Sequence, residues 1–95
     1  MAVEYGHLGV RANAVALGSI DTERYRGLLQ ASPPAEAARI EEEMARLHPL
    51  GRLGTASEVA AVVAFLLSDQ ASFVSGAVIP LDGGRAARGS DPEER

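Results

Sequence analysis

Thr55-Ala56-Ser57-Glu58-Val59-Ala60-Ala61-Val62-Val63-Ala64-Phe65-Leu66-Leu67 opens polar and then runs apolar to its end. A hydroxyl residue followed three positions later by a carboxylate fits a capping box, in which each side chain satisfies a free amide at a helix start. Val59, Val62, Val63 and Leu66 recur at helical spacing, while Ala60, Ala64 and Leu67 widen the stripe. The spacing predicts a helix over 55–68, buried almost all round and expecting neighbours on several sides. The apolar run from Val59 to Leu67 falls far short of the roughly 20 residues that cross a bilayer.

Working outward, Ala77-Val78-Ile79-Pro80-Leu81 reads as a strand, and Pro80, which has no N–H, requires at least one unpaired side there. Upstream, Val10-Arg11-Ala12-Asn13-Ala14-Val15-Ala16 suits a buried strand with Gly18 just beyond it. Met1 to Tyr5 resembles the last turn of a helix closed by a left-handed Gly6. Between the strands, a helix is predicted over 21–30, capped by Asp21 or Thr22. A second is capped by Ser32 with Pro33 at its first position, buries Ala37, Ile40, Met44 and Leu47, and ends at Pro49. Strand, helices, helix, strand is a βαβ order, which implies parallel pairing and a right-handed crossover. Two parallel strands alone leave a face and an edge uncovered, so this α/β unit reads as part of a larger doubly wound sheet. From Arg85 to Arg95 the composition turns to charge, Gly, Ser and Pro, and a disordered polar tail is expected.

Composition narrows the function. The chain has 95 residues, enough for one small domain, with a net charge of -4 and scattered basic residues that form no nucleic-acid footprint. There is no cysteine, so thiolate and disulfide chemistry are excluded and the compartment leans cytoplasmic. The N-terminus carries no basic stretch followed by an apolar one, so no signal peptide is visible. All 9 basic residues are arginine; the sequence contains no lysine.

Ala2-Val3-Glu4-Tyr5-Gly6, Val10 to Val15 and Gly18-Ser19-Ile20-Asp21-Thr22 resemble the region after the catalytic helix of short-chain dehydrogenases/reductases. Pro49 to Gly54, Glu58-Val59-Ala60, Phe65 to Asp69, Ser72 to Gly76 and Leu81-Asp82-Gly83-Gly84 resemble that family's closing third. The matches are collinear from residue 2 to 84. Singly they are weak; in order and at this spacing they are specific. The resemblance implies that residues 1–84 are the C-terminal segment of a Rossmann-type domain, incomplete in this chain, followed by the tail at 85–95.

The same resemblance implies NAD or NADP as cofactor, an alcohol or carbonyl substrate, and homo-oligomerisation through residues 55–84. No nucleic acid or membrane partner is expected. In the family the loop after the penultimate strand meets the nicotinamide end of the cofactor, and ligands of doubly wound sheets do bind beyond the strands' carboxyl ends. Here that loop contains Leu17, Gly18, Ile20 and Thr22. The backbone around Gly18 and Ile20 would hold the carboxamide, and the Thr22 hydroxyl would bond the carboxamide or a phosphate oxygen. Leu17 departs from the family's usual proline. No glycine loop of the form Gly-x-x-x-Gly-x-Gly is present. The family's catalytic tyrosine and lysine, four residues apart on one helical face, have no counterpart either. Tyr5 is followed four on by Gly9 and Tyr25 by Leu29. Met1 stands where the family commonly has leucine, which suggests an internal start or a truncated gene model. No catalytic or metal-binding residue is therefore assigned, and the chain alone is expected to be inactive. A non-catalytic oligomerisation or interaction piece is the alternative.

Other polar residues have blander readings. Asn13 is expected to bond backbone at the sheet edge. His7 and His48 lack metal-ligand spacing and suit exposed or helix-end positions. Ser57, His48 and Asp69 form no credible hydrolase triad without a Gly-x-Ser-x-Gly elbow. Glu41-Glu42-Glu43 is a solvated helix face, and Arg52 suits helix-end carbonyls or a nearby carboxylate.

Overall fold

A computed structural model describes residues 1–88. In order these form α1 (Ala2–Tyr5), a 3-10 turn (Gly6–Leu8), β1 (Ala14–Leu17), β2 (Ile20–Asp21), α2 (Glu23–Ala31) and α3 (Pro34–Leu47). There follow β3 (Gly54–Thr55), α4 (Ala56–Leu67), a 3-10 turn (Asp69–Ala71), β4 (Val78–Leu81) and α5 (Arg85–Arg88).

β1 pairs with β4 in parallel, Ala14 opposite Val78 and Leu17 opposite Leu81. Ala14 N–H donates to Ala77 O, and Gly18 N–H to Leu81 O, both at 2.9 Å. A parallel ladder uses alternate residues on each strand. It therefore engages residues 14, 16 and 18 of the first segment and 77, 79 and 81 of the second. Pro80 falls on the outer edge of β4, where its missing N–H breaks nothing. The unpaired side that proline required is found. The first strand is shorter than expected, because Asn13 replaces its start: its Nδ2 donates to Val74 O at 3.0 Å, and its Oδ1 accepts from Ala77 N–H at 3.1 Å.

α4 carries the expected capping box, with Thr55 Oγ1 accepting from Glu58 N–H at 3.1 Å and Glu58 Oε1 accepting from Thr55 N–H at 2.9 Å. The near-complete burial expected of this helix is not observed. Only Leu66 is buried, while Val63, Phe65 and Leu67 are exposed. The described residues hold just two buried apolar side chains, Leu66 and Ala71. The radius of gyration is 17.0 Å, against about 12 Å for a compact domain of this length. The apolar stripe is real; the layers that would cover it are not among these residues.

Three helix ends also differ from the sequence reading. Ser32 does not cap α3: Pro33 precedes it, Pro34 is its first residue, and the Ser32 hydroxyl instead donates to Leu28 O at 2.8 Å at the end of α2. Gly6 is right-handed helical, and the left-handed cap is Gly9, whose N–H donates to Gly6 O after the extra 3-10 turn. The polar tail begins instead with a helical turn, Arg85–Arg88. The Asp82 carboxylate explains it, accepting from Gly84 N–H at 3.0 Å and Ala86 N–H at 2.9 Å. Arg88 also donates to Arg46 O. The rest of the expected tail, 89–95, lies outside the described residues. Among the described residues, no helix is long and apolar enough to cross a membrane.

Candidate functional site

The carboxyl end of β1 leads directly into the four residues singled out by the sequence. Leu17 is the last strand residue, Gly18 and Ser19 form the link, Ile20 opens β2 and Thr22 caps α2. One continuous turn of chain thus holds all four.

Gly18 is a glycine for a steric reason. A Cβ there would lie 2.7 Å from Asp82 Cβ and 2.8 Å from Asp82 Cα, distances that real Cβ atoms do not show. The ends of β1 and β4 pass in backbone contact, and only hydrogen fits between them.

β2 pairs in parallel with β3, Ile20 opposite Gly54 and Asp21 opposite Thr55, a ladder that local periodicity could not reveal. Gly54 N–H donates to Ser19 O at 3.0 Å, so the ladder uses Ser19 and Asp21. The N–H and C=O of Ile20 consequently point to the opposite edge. Thr22 Oγ1 accepts from Tyr25 N–H at 3.2 Å, leaving its hydroxyl proton free to donate outward. Asp21 Oδ1 accepts from Arg26 Nε at 3.1 Å. The Tyr25 hydroxyl is buried without a partner; burial, then Glu41 and then Asp21 raise its pKa above the usual phenol value.

His48 was expected at an exposed or helix-end position. It is indeed at the end of α3, but only 2 % exposed. Its Nδ1 lies 2.7 Å from Met44 O, and its Nε2 lies 3.4 Å from Ser19 N. The missed signal was spacing: Ile40, Met44 and His48 are four apart, so His48 continues the inward stripe of α3. Asn13 and Arg52 behave as expected, and Ser57 Oγ sits 3.2 Å from Thr55 Oγ1 within the cap.

A cavity of about 510 Å³ opens beside this region, lined by Ile20, Leu50, Gly54, Val59, Val62 and Gly83 among others. At its rim Arg52 grips Glu58 in a fork, with both N–H···O distances at 2.9 Å. That pairing, followed by the Thr55 amide, lowers the Glu58 pKa from 4.5 to about 2. A depressed folded-state pKa adds stability that is complete above the ordinary carboxylate value and lost as pH falls through the folded one. Glu58→Gln is therefore expected to destabilise the chain at pH 7, and this difference to shrink between pH 4.5 and 2. Urea midpoints of both proteins at each pH check it; a constant difference would count against the fork.

Leu17 offers a second prediction. The ladder to β4 engages Ala16 and Gly18, so the Leu17 N–H makes no bond to β4, and Ala16 before it is already extended. Leu17→Pro is expected to stabilise by about 0.5–1 kcal/mol through loss of unfolded-state freedom. A thermal melt shifted downward would contradict it.

With this geometry in view, comparison with known proteins settles the class. The family model described as enoyl-(acyl carrier protein) reductase matches residues 1–86. The chain belongs to the short-chain dehydrogenase/reductase family and corresponds to the C-terminal third of its members. It is 46% identical over 86 residues to levodione reductase of Leifsonia aquatica, covering 90% of this chain and 32% of that protein. It is 49% identical over 82 residues to cyclohexanol dehydrogenase of an Acinetobacter species, covering 86% of this chain and 28% of that one. Among solved structures, Thermoplasma acidophilum aldohexose dehydrogenase superposes with a TM-score of 0.77 at 38% identity, covering 96% of this chain and 37% of that chain. The levodione reductase structure matches with a TM-score of 0.74, covering 33% of its chain. The chain thus spans about a third of the length of the relatives it matches, and the doubly wound, parallel α/β fold is that of the family.

Proposed function

We propose that this chain is the C-terminal portion of an NAD(P)-dependent oxidoreductase that interconverts an alcohol and a carbonyl by hydride transfer. Its role there is to present Leu17, Gly18, Ile20 and Thr22 to the cofactor. The observation that carries the reading is the Ile20 backbone, whose N–H and C=O face away from the β2–β3 ladder beyond the carboxyl end of β1. One donor and one acceptor side by side match a carboxamide, whose carbonyl oxygen accepts and whose NH2 group donates. Thr22 adds a hydroxyl donor at the start of α2, where free amides favour an anionic oxygen. Bound at that edge, the nicotinamide would supply the hydride acceptor or donor. With no lysine among the 95 residues, the family's tyrosine–lysine acid–base pair cannot form within them, and the chain alone is proposed to be inactive.

The test joins residues 1–88 to the upstream two-thirds of levodione reductase in place of its own closing third. A folded chimera is expected to quench or shift NADH or NADPH fluorescence on binding, and Thr22→Val to weaken that binding about tenfold, as loss of a hydrogen bond to a charged or polar group does. A folded chimera that binds neither nucleotide would defeat the proposal.

A second reading is favoured by one observation. Leu67 is 79% exposed, Val78 68%, and Phe73 fully so, all within 55–84. Exposed large apolar side chains become a candidate interface when they adjoin one another. A non-catalytic piece that assembles with further copies of itself would cover them, and a folded monomer in sedimentation equilibrium would rule that out.

A further inference from the structure

We propose that His48 is a positioning residue for the candidate cofactor loop, a neutral imidazole protonated on Nδ1 that tethers the Gly18–Ser19 backbone to the end of α3. The proposal rests on the reading above for the loop's role, but the tether itself does not depend on it.

The geometry fixes the tautomer. Met44 O can only accept, so at 2.7 Å the Nδ1 must carry a proton and donate. The Ser19 N–H can only donate, so at 3.4 Å the Nε2 must be bare and accept. An imidazolium would turn a donor toward a donor and lose the second contact. At 2 % exposure no water stands ready to replace either partner.

Position adds to chemistry. The Cβ that Gly18 lacks would lie 3.4 Å from His48 Nε2, and the Cβ that Gly83 lacks would lie 3.4 Å from His48 Cβ. The ring is therefore wedged between the β1–β2 link and the turn after β4. Leu50 N–H donates to Gly83 O at 3.0 Å, closing the same turn onto the segment that follows His48. Through this ring, the end of the helical pair α2–α3 registers against the backbone that presents Ile20 and Thr22. A shift of α3 would carry the loop with it, which is how a helix remote from the loop could set its pose.

The test uses the full chain without nucleotide. Long-range nitrogen–proton spectra of the imidazole are expected to show the proton on Nδ1 and an accepting Nε2. In amide exchange, His48→Leu is expected to raise the Ser19 rate about tenfold relative to the Leu66 amide in the same sample, a hydrogen bond's worth of protection. His48→Gln, which offers both a donor and an acceptor, is expected to restore most of it. An Nε2-protonated or charged ring would overturn the proposal. So would an unprotected Ser19 amide in the parent chain, or a Ser19 rate that rises only in step with Leu66. Because no nucleotide enters this test, a chimera that fails to bind NADH removes the loop's proposed role and leaves the tether standing.

Discussion

Gly18→Ala is expected to cost about 3 kcal/mol, the upper part of the range for overpacking, and to loosen the end of the β1–β4 ladder. The added methyl would meet Asp82 Cα at 2.8 Å, which is backbone and cannot rotate away. Moving Asp82 has its own consequences. Its carboxylate holds Gly84 and Ala86, and Leu81 O beside it takes the Gly18 N–H at 2.9 Å. The clash therefore cannot relax without loosening either the ladder or the turn that leads into α5. Gly27→Ala is the matched control, because a Cβ there meets nothing within 4 Å and the position is helical. It is expected to stabilise by about 0.5–1 kcal/mol. Urea denaturation of the two variants should give shifts of opposite sign. A Gly18→Ala midpoint within experimental error of the parent would mean that β1 and β4 do not approach as described.

Gly18 also shows how far the sequence could be read. Its membership in the loop followed from the ordered motifs, yet nothing in the sequence identified Asp82 as the residue that forbids a side chain. That contact joins segments far apart in the chain, and neither a period nor a cap encodes it. Elements with strong local signals were legible: the capping box at Thr55 and Glu58, the edge position of Pro80, and the proline-led start of α3 to within one residue. The two-residue strands β2 and β3 were not, since a ladder this short has no alternation to detect. His48 lies between these cases. Its four-residue spacing from Met44 is visible, but histidine is intermediate in burial, so spacing alone does not place it inside or out. α4 shows the opposite case. Its apolar circumference records the neighbours of a complete sheet, and so predicted burial that the described residues cannot provide.

The second large effect lies in that sparse core. Leu66→Ala is expected to destabilise by about 2–5 kcal/mol, the usual loss for a buried leucine. Leu66 is 8% exposed, and among the described residues Ala71 is the one other buried apolar side chain. A chain of 95 residues has about 5–14 kcal/mol of stability when compact, and the open shape places this one toward the lower end. The substitution should therefore leave a small or vanishing cooperative transition. Its mechanism is separable from the polar contacts at the same place. Arg11 donates to Leu66 O at 2.8 Å and to Ser68 O and Val74 O at 3.3 Å, capping the end of α4 from the segment before β1. Those acceptors are backbone and survive in Leu66→Ala. Removing their shared donor through Arg11→Met should cost about 1.5–3 kcal/mol, as for hydrogen bonds to a charged group. The two substitutions act on one junction, so their combined cost should depart from the sum by more than about 0.5 kcal/mol. Leu67→Ala, next in sequence but 79% exposed, should change little. Thermal melts of the four variants distinguish these cases. Equal losses for Leu66→Ala and Leu67→Ala would show that α4 does not turn Leu66 inward and Leu67 outward, as their exposures of 8% and 79% imply.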